Sequence, residues 1–317
     1  MAEMEKIILG WTGEEVSRMG LGIWQFSETW GVTDYKVAKE IIQTAYEAGI
    51  NFFDTAMVYG DGLSEEFLGR AIKELGIRDD VFIATKIPGQ YLSRDDVIRA
   101  CRKSLKRLQV DVIDLLQVHW PPIWHNFPTC EYMEALEQLI HLGLVRYIGL
   151  SDFPVELVDS ARSCLSVTDI VSIQIRYNLI ERDAEKELIP YALAEDLVVL
   201  PWSPLAKGAL TGKYKPDNLP EFQDVRGRDP IFHPDNFKRV YELVKVLEEV
   251  AKKYRKTPAQ VALNWLMTSY PNILPIPGAK NPKQVLDNAG ACNWRLDFED
   301  WFKLDQASRE IRIDRVL

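Results

Sequence analysis

Short apolar runs alternate with helix-patterned segments along nearly all of this 317-residue chain, and that alternation restricts the fold more than any single motif. Eight runs have strand character: residues 20–23, 51–54, 81–86, 112–119, 145–150, 170–175, 197–202 and 273–276. Between them lie segments with helical spacing near 34–48, 64–75, 94–108, 129–142, 154–163 and 184–195. In 64–75, Leu68, Ala71, Ile72 and Leu75 share one face, with Ser64 placed to cap the start and Gly76 to stop the end. Continuous apolar strands, each followed by a helix, imply a parallel sheet covered by helices. Eight such units in a chain of this length predict an α/β fold, a closed (β/α)8 TIM barrel in one domain spanning 1–317. The rival is an open, doubly wound sheet that binds nucleotides through a GxGxxG turn. The nearest match, Gly20-Leu-Gly22-Ile-Trp-Gln25, lacks the third glycine.

Additions interrupt the alternation. Residues 203–234 form a long segment punctuated by Gly and Pro, followed by a helical stretch at 235–255 and another helix from Pro258. Loops of that length in compact domains are usually functional. Residues 298–311 pattern as a terminal helix, so two helices exceed the barrel's own. At the other end, 7–13 and 16–19 read as a β-hairpin closing the barrel bottom.

Charge and composition exclude several functions. A net charge of −9 with no basic block argues against nucleic-acid partners. Arg99, Arg102, Lys103, Lys106 and Arg107 read as the wet face of a helix whose other face is Val97, Cys101, Ser104 and Leu108. No apolar stretch approaches the roughly 18 residues of a membrane span, and the acidic start MAEMEKIILG shows no signal peptide. Cys101, Cys130, Cys164 and Cys292 contain no CxxC pair and read as buried thiols of a reducing compartment, which predicts a cytoplasmic protein. The histidines show no metal-ligand spacing, so no metal is expected.

In a barrel the active site lies at the C-terminal ends of the strands. The second strand ends in Asp54, the third in Lys86 and the fourth in His119, with Tyr59 in the loop after the second. Each has an ordinary structural explanation: a turn cap, an ion pair, a rim histidine, a packed ring. Four together at adjacent strand tips imply chemistry. A free tyrosine titrates near pH ~10. A neighbouring ammonium favours the phenolate and is expected to bring that value toward neutrality, while Asp54 holds the lysine charged. Such a set donates a proton to a carbonyl oxygen acquiring negative charge. The matching step at carbon is hydride delivery, which needs a cofactor.

Later strand tips carry candidate cofactor contacts: Ser151 and Asp152 after the fifth strand, Gln174 on the sixth, and Trp202 and Ser203 at the seventh. Leu205, Lys207, Gly208 and Leu210 follow, able to wrap a pyrophosphate with backbone N–H groups and one ammonium. Gly278, Ala279 and Lys280 then precede a helix N-terminus, a natural anion site.

The motifs FDTAMVYGDGLSEEFLGRAI, ATK, DLLQVHWP, VRYIGLSDF, SIQIRYN, PWSPLAKGALTGKY and IPGAKNPKQVLDNAG together resemble the aldo-keto reductase superfamily, in its bacterial general-aldehyde branch. The resemblance covers nearly the entire chain. It implies an eight-stranded barrel binding NADP(H), with NAD(H) as the weaker alternative. It implies a tetrad of Asp54, Tyr59, Lys86 and His119, with Tyr59 as general acid. Carboxamide contacts fall on Ser151, position 152 and Gln174, the stacking aromatic on Trp202, and further cofactor contacts on Gln284 and Asn288. Two departures stand out. The family's Asn after the serine is Asp152, and its arginine for the adenosine 2′-phosphate is Gln284, which leaves Lys280 as the principal charge.

Trp24, Phe26 and Trp30, then Met57, then Trp120, Trp124 and Phe127 lie on rim loops and predict an apolar pocket for a small aldehyde or ketone. A monomer working on a small carbonyl substrate, without nucleic-acid or membrane partners, is the expectation. Two other functions stay open: a non-catalytic NADPH-binding regulatory module, and a lyase forming a Schiff base on Lys86.

Overall fold

A computed structural model describes residues 3–122 and 126–314. The chain opens with an antiparallel hairpin, β1 (Lys6–Ile8) and β2 (Glu15–Ser17). Seven parallel strands follow in chain order: β3 (Leu21–Gly22), β4 (Phe52–Asp54), β5 (Phe82–Ile87), β6 (Ile113–Val118), β7 (Val145–Ser151), β8 (Ile170–Arg176) and β9 (Val198–Trp202). The helices between them are α1 (Tyr35–Glu47), α2 (Leu63–Leu75), α3 (Arg94–Leu108), α4 (Thr129–His141), α5 (Val155–Arg162) and α6 (Leu188–Ala194). After β9 come α7 (Pro234–Tyr254), α8 (Pro258–Ser269), α9 (Pro282–Ala289) and α10 (Phe298–Arg309). The fold is the α/β barrel that the alternation predicts, with extra helices after β9 and at the end.

The eighth strand differs from expectation for a definable reason. Residues 272–278 do lie between β9 and β3, with the Leu274 N–H donating to Val199 O and the Gly20 N–H donating to Pro275 O. They form only isolated bridges, Val199 to Ile273 and Gly22 to Gly278. Pro275 and Pro277 have no N–H to donate, so the ladder is interrupted where it closes the barrel.

Two apolar clusters hold this architecture. Phe52, Phe82, Ala84, Leu115, Val171, Val198, Leu200 and Leu274 fill the barrel interior, and Leu9 and Val16 of the hairpin segment join them from below. A larger cluster packs the outward strand faces against the helices. Local signals mark the helix ends: Asp34 and Ser93 accept backbone N–H bonds at the starts of α1 and α3. Thr257 and Gln260 form a capping box around Pro258. Gly76 ends α2 in a left-handed conformation, as its position predicts. Ser64 does not cap that helix. It lies inside α2, fully buried, and its hydroxyl donates to Ile23 O.

Two further expectations are corrected. Cys130, exposed in the first turn of α4, and Cys164, just past α5, form a disulfide with Cα atoms 5.0 Å apart. Only Cys101 and Cys292 are buried thiols. Adjacent barrel helices bring the pair together across 34 residues of sequence. Arg107 is likewise not part of a wet face: its side chain is 12% exposed and pairs with the buried Glu65. Among the described residues no helix is long and apolar enough to cross a membrane.

Candidate active site

Inward positions along the strands turn from apolar to polar toward the rim. On β4, Phe52 is followed two residues later by Asp54; on β5, Phe82 and Ala84 lead to Lys86. Leu115 leads to Gln117 on β6, with His119 next in phase, and Val198 and Leu200 lead to Trp202 on β9. The two-residue period of a strand thus carries polar side chains onto the barrel's inner axis at one end.

There Lys86, with no exposed surface, spends its three donors on Asp54 Oδ1 (2.5 Å), Thr55 O (2.7 Å) and Tyr59 Oη (3.3 Å). The other Asp54 oxygen accepts from Gln117 Nε2 (3.2 Å) and Gln174 Nε2 (3.0 Å). This ion pair is buried and fully hydrogen-bonded, the condition under which such a pair persists. Burial alone would lower the Lys86 pKa, but Asp54 and Tyr59 outweigh it and hold the ammonium above its ordinary value. The Tyr59 phenol moves opposite to the sequence-based expectation. Burial raises it, Lys86 pulls it down, and Asp54 and Asp152 add to the rise. Tyr59 is therefore a neutral O–H donor, poised by its lysine but not ionised. His119 packs edge-on against the Tyr59 ring, 5.6 Å between centroids. Burial, with Lys86 adding, lowers its pKa well below 6.5, which makes it a neutral imidazole at neutral pH.

The Tyr59 turn is held from outside the site. Tyr59–Gly62 is a 3-10 turn whose Gly60 and Asp61 have positive φ, 58° and 53°. A Cβ on Gly60 would meet Phe26 O at 2.9 Å. Arg107 of α3 donates to Met57 O (3.3 Å) and Asp61 O (3.0 Å), and its partner Glu65 accepts from Thr85 Oγ1 of β5. Sequence reasoning missed this brace, because Arg107 is one of several cations along α3.

A cavity of about 630 Å³ reaches from Trp24, Tyr59 and His119 to Lys280, Gln284 and Asn288. Asp54, Ser151, Asp152, Gln174, Trp202, Ser203, Leu205, Lys207, Gly208 and Gly278 also line it. Leu210 does not: it is fully buried in the core beneath the turn. Gln174 donates through Nε2 to Asp54 and Gln117, which leaves its carbonyl oxygen as an acceptor on the cavity. Asp152, at φ 57°, accepts from Trp202 Nε1 (2.9 Å), and Arg176 lies over the Trp202 ring at 4.4 Å.

At the other end the cations are occupied differently. Lys207 is ion-paired with Asp229, and Arg226 with Asp224, both from the long segment after β9. Lys280 has no ion pair among the described residues and lies over the Trp30 ring at 5.0 Å. The anion site expected at the start of α9 is largely spent on itself. Gln284 Oε1 accepts the Lys280 N–H (2.8 Å), Asn281 Oδ1 accepts the Gln284 N–H (3.0 Å), and Pro282 has none. The Lys280 ammonium remains. Gly278 lets the Gln25 amide approach closely: a Cβ there would lie 2.1 Å from it, so a larger residue would displace that side chain.

On the substrate side Trp24, Trp30 and Trp120 line the cavity. Trp24 stacks near Tyr59 (6.0 Å) and meets Trp30 edge-on (5.3 Å), while Trp120 packs on His119 (4.4 Å). Met57 packs against the core instead, and Val58 lines the cavity in its place. Phe26 is fully buried, and Phe127 packs against the core. Trp124 lies outside the described residues. Gln25, Thr211, Lys213, Tyr214 and Arg226 line the cavity without having been anticipated.

Comparison with known proteins finds relatives of the whole barrel. An aldo-keto reductase of Bacillus subtilis is 38% identical over 308 residues, covering 94% of this chain and 91% of its own. A glycerol dehydrogenase from Gluconobacter oxydans superposes with a TM-score of 0.88 at 31% identity, covering 100% of this chain and 98% of the other. An aldo-keto reductase from Klebsiella pneumoniae, solved in complex with NADPH, gives 0.79 at 27% identity, covering 100% and 99%. The Aldo/keto reductase family model matches residues 18–309, and with the strand-tip set of Asp54, Tyr59, Lys86 and His119 this places the chain in the aldo/keto reductase family of oxidoreductases.

Proposed function

We propose that the chain is an NADPH-dependent reductase of aldehydes and ketones, with Tyr59 as general acid. The observation that carries this reading is the buried chain Asp54–Lys86–Tyr59 opening onto a cavity beside a neutral His119. The cavity's donor set fits an extended dinucleotide. The Ser151 hydroxyl and the Gln174 carbonyl oxygen suit a carboxamide, and Trp202 offers a stacking surface. The Leu205–Thr211 turn, with Lys207 and Gly208 at positive φ, suits a pyrophosphate, and Lys280 suits a 2′-phosphate.

A nicotinamide held there by Ser151, Gln174 and Trp202 would supply the hydride for the carbonyl carbon. Tyr59 gives its phenolic proton to the carbonyl oxygen. Lys86 stabilises the charge that Tyr59 then carries, and Asp54 keeps Lys86 protonated throughout. Neutral His119 lies beside Tyr59, where it can hydrogen-bond the same oxygen and orient it. Together these groups meet charge as it develops, which is where fixed polar groups accelerate a reaction most. A Schiff-base role for Lys86 is disfavoured, because its ammonium is fully paired and its pKa raised. Trp24, Trp30, Val58 and Trp120 favour substrates with apolar or aromatic substituents.

The test follows NADPH consumption with a panel of aldehydes and ketones, repeated with NADH. Turnover that prefers NADPH and aryl or alkyl aldehydes is expected. No consumption of either cofactor with any carbonyl compound would remove the proposal.

A further inference from the structure

One half-buried carboxyl has no task in the mechanism above. Asp152 lines the cavity, most of its surface withdrawn from solvent, and forms no ion pair among the described residues. One oxygen accepts the Trp202 indole N–H, and the other has no protein donor among the described residues. The nearby cations are committed elsewhere: Lys86 to Asp54, and Arg176 to Glu181 at 2.9 Å. Its charge reaches across the cavity, since it contributes to raising the Tyr59 phenol.

We propose that Asp152 sets a negative charge against the nicotinamide ring and so favours the oxidised, cationic cofactor over the reduced, neutral one. This rests on the reading that the cavity holds a nicotinamide beside Trp202. An ionised carboxyl accepts hydrogen bonds and donates none, so it serves the carboxamide N–H₂ and leaves the carboxamide oxygen to the Ser151 hydroxyl. Its charge distinguishes the two redox forms, which differ at that ring by one unit. In a partly wet site, one charge at a few ångströms shifts their relative affinity by roughly five-fold. The same field stabilises the positive charge that builds on the ring during carbonyl reduction, and it slows release of the oxidised product.

The experiment measures dissociation constants of NADP⁺ and NADPH by calorimetry for wild type and Asp152→Asn, at one ionic strength and about pH 8, above the ordinary carboxyl range. Asparagine keeps the oxygen that Trp202 bonds and suits a left-handed backbone, so the fold is retained. Its new N–H₂ meets a carboxamide common to both redox forms, and that gain cancels in the ratio. Binding of NADP⁺ should weaken relative to NADPH by about five-fold. An unchanged ratio overturns the inference and leaves the reductase reading intact, whereas failure of wild type to bind either form overturns both.

Discussion

The two ends of the cavity solve the problem of holding charge in opposite ways. At the strand tips, Lys86 and Asp54 are wholly buried, and every Lys86 donor is used in the resting protein. At the far end, charges sit on turns with positive φ and on the long segment after β9. Lys207 and Arg226 there are neutralised by Asp229 and Asp224. The first arrangement is rigid because reorganising it would expose an unpaired buried charge. On the proposed reading the second is exchangeable: an anion entering the cavity would compete for cations already held by carboxylates. On that reading the difference would separate a site built for chemistry, where groups must be fixed before charge develops, from one built for capture and release.

The largest effects should come from the fixed end. Tyr59→Phe removes the proton donor and little volume, so carbonyl reduction should fall by roughly 10²–10⁴-fold while NADPH affinity stays near wild type. Turnover within a few-fold of wild type would mean that the buried chain is structural. Lys86→Met tests the rigidity itself. It leaves Asp54 buried without its cation, with only Gln117 and Gln174 as donors, and should cost about 3–5 kcal/mol of folding stability in a denaturant titration. A loss under about 1 kcal/mol is what an exposed pair would give and would remove the case for a fixed, buried one.

Lys280→Ala probes the exchangeable end. Because Asn281, Gln284 and Pro282 leave few free donors at the start of α9, the Lys280 ammonium is the main contribution of that segment to the proposed 2′-phosphate contact. Losing one charge-assisted bond should weaken NADPH by about 1.5–3 kcal/mol and NADH hardly at all. Equal weakening of both cofactors would assign Lys280 a structural role through its stacking on Trp30.

The fixed end was legible in the sequence, and the exchangeable end was only partly so. A strand repeats every two residues, so an apolar run that ends in Asp54, Lys86 or His119 places that side chain at the rim before any contact is known. Arg107 had no such signal. Its partners Met57, Asp61 and Glu65 lie 50, 46 and 42 residues away, and it follows Arg102, Lys103 and Lys106 on the same helix. The pairing of Cys130 with Cys164 is equally non-local. Asp229 and Asp224 are two of 47 acidic residues in a segment without periodicity, and only the folded chain selects them. The Tyr59 pKa departs from the sequence-based expectation because proximity of Lys86 is readable from spacing, while the depth of burial that outweighs it is not.

The smallest expected effect sharpens the comparison most. Asp229 Oδ2 holds Lys207, while Oδ1 accepts the Ile231 N–H that starts the short turn Pro230–Phe232. Asp229→Asn keeps an oxygen for that turn and removes the charge opposing Lys207. If the pair exchanges for a pyrophosphate, the freed ammonium no longer has to leave a carboxylate before meeting the ligand. NADPH and NADH should then both bind about five-fold more tightly, since the pyrophosphate is common to them. Apo stability should fall measurably, because Lys207 is only 11% exposed and would lose its counter-charge. Calorimetric titration of both cofactors, beside a thermal melt of the free protein, separates the two effects. Weaker binding of both cofactors would instead show that the Lys207–Asp229 pair stays closed around the ligand, and that the far end is as fixed as the tetrad.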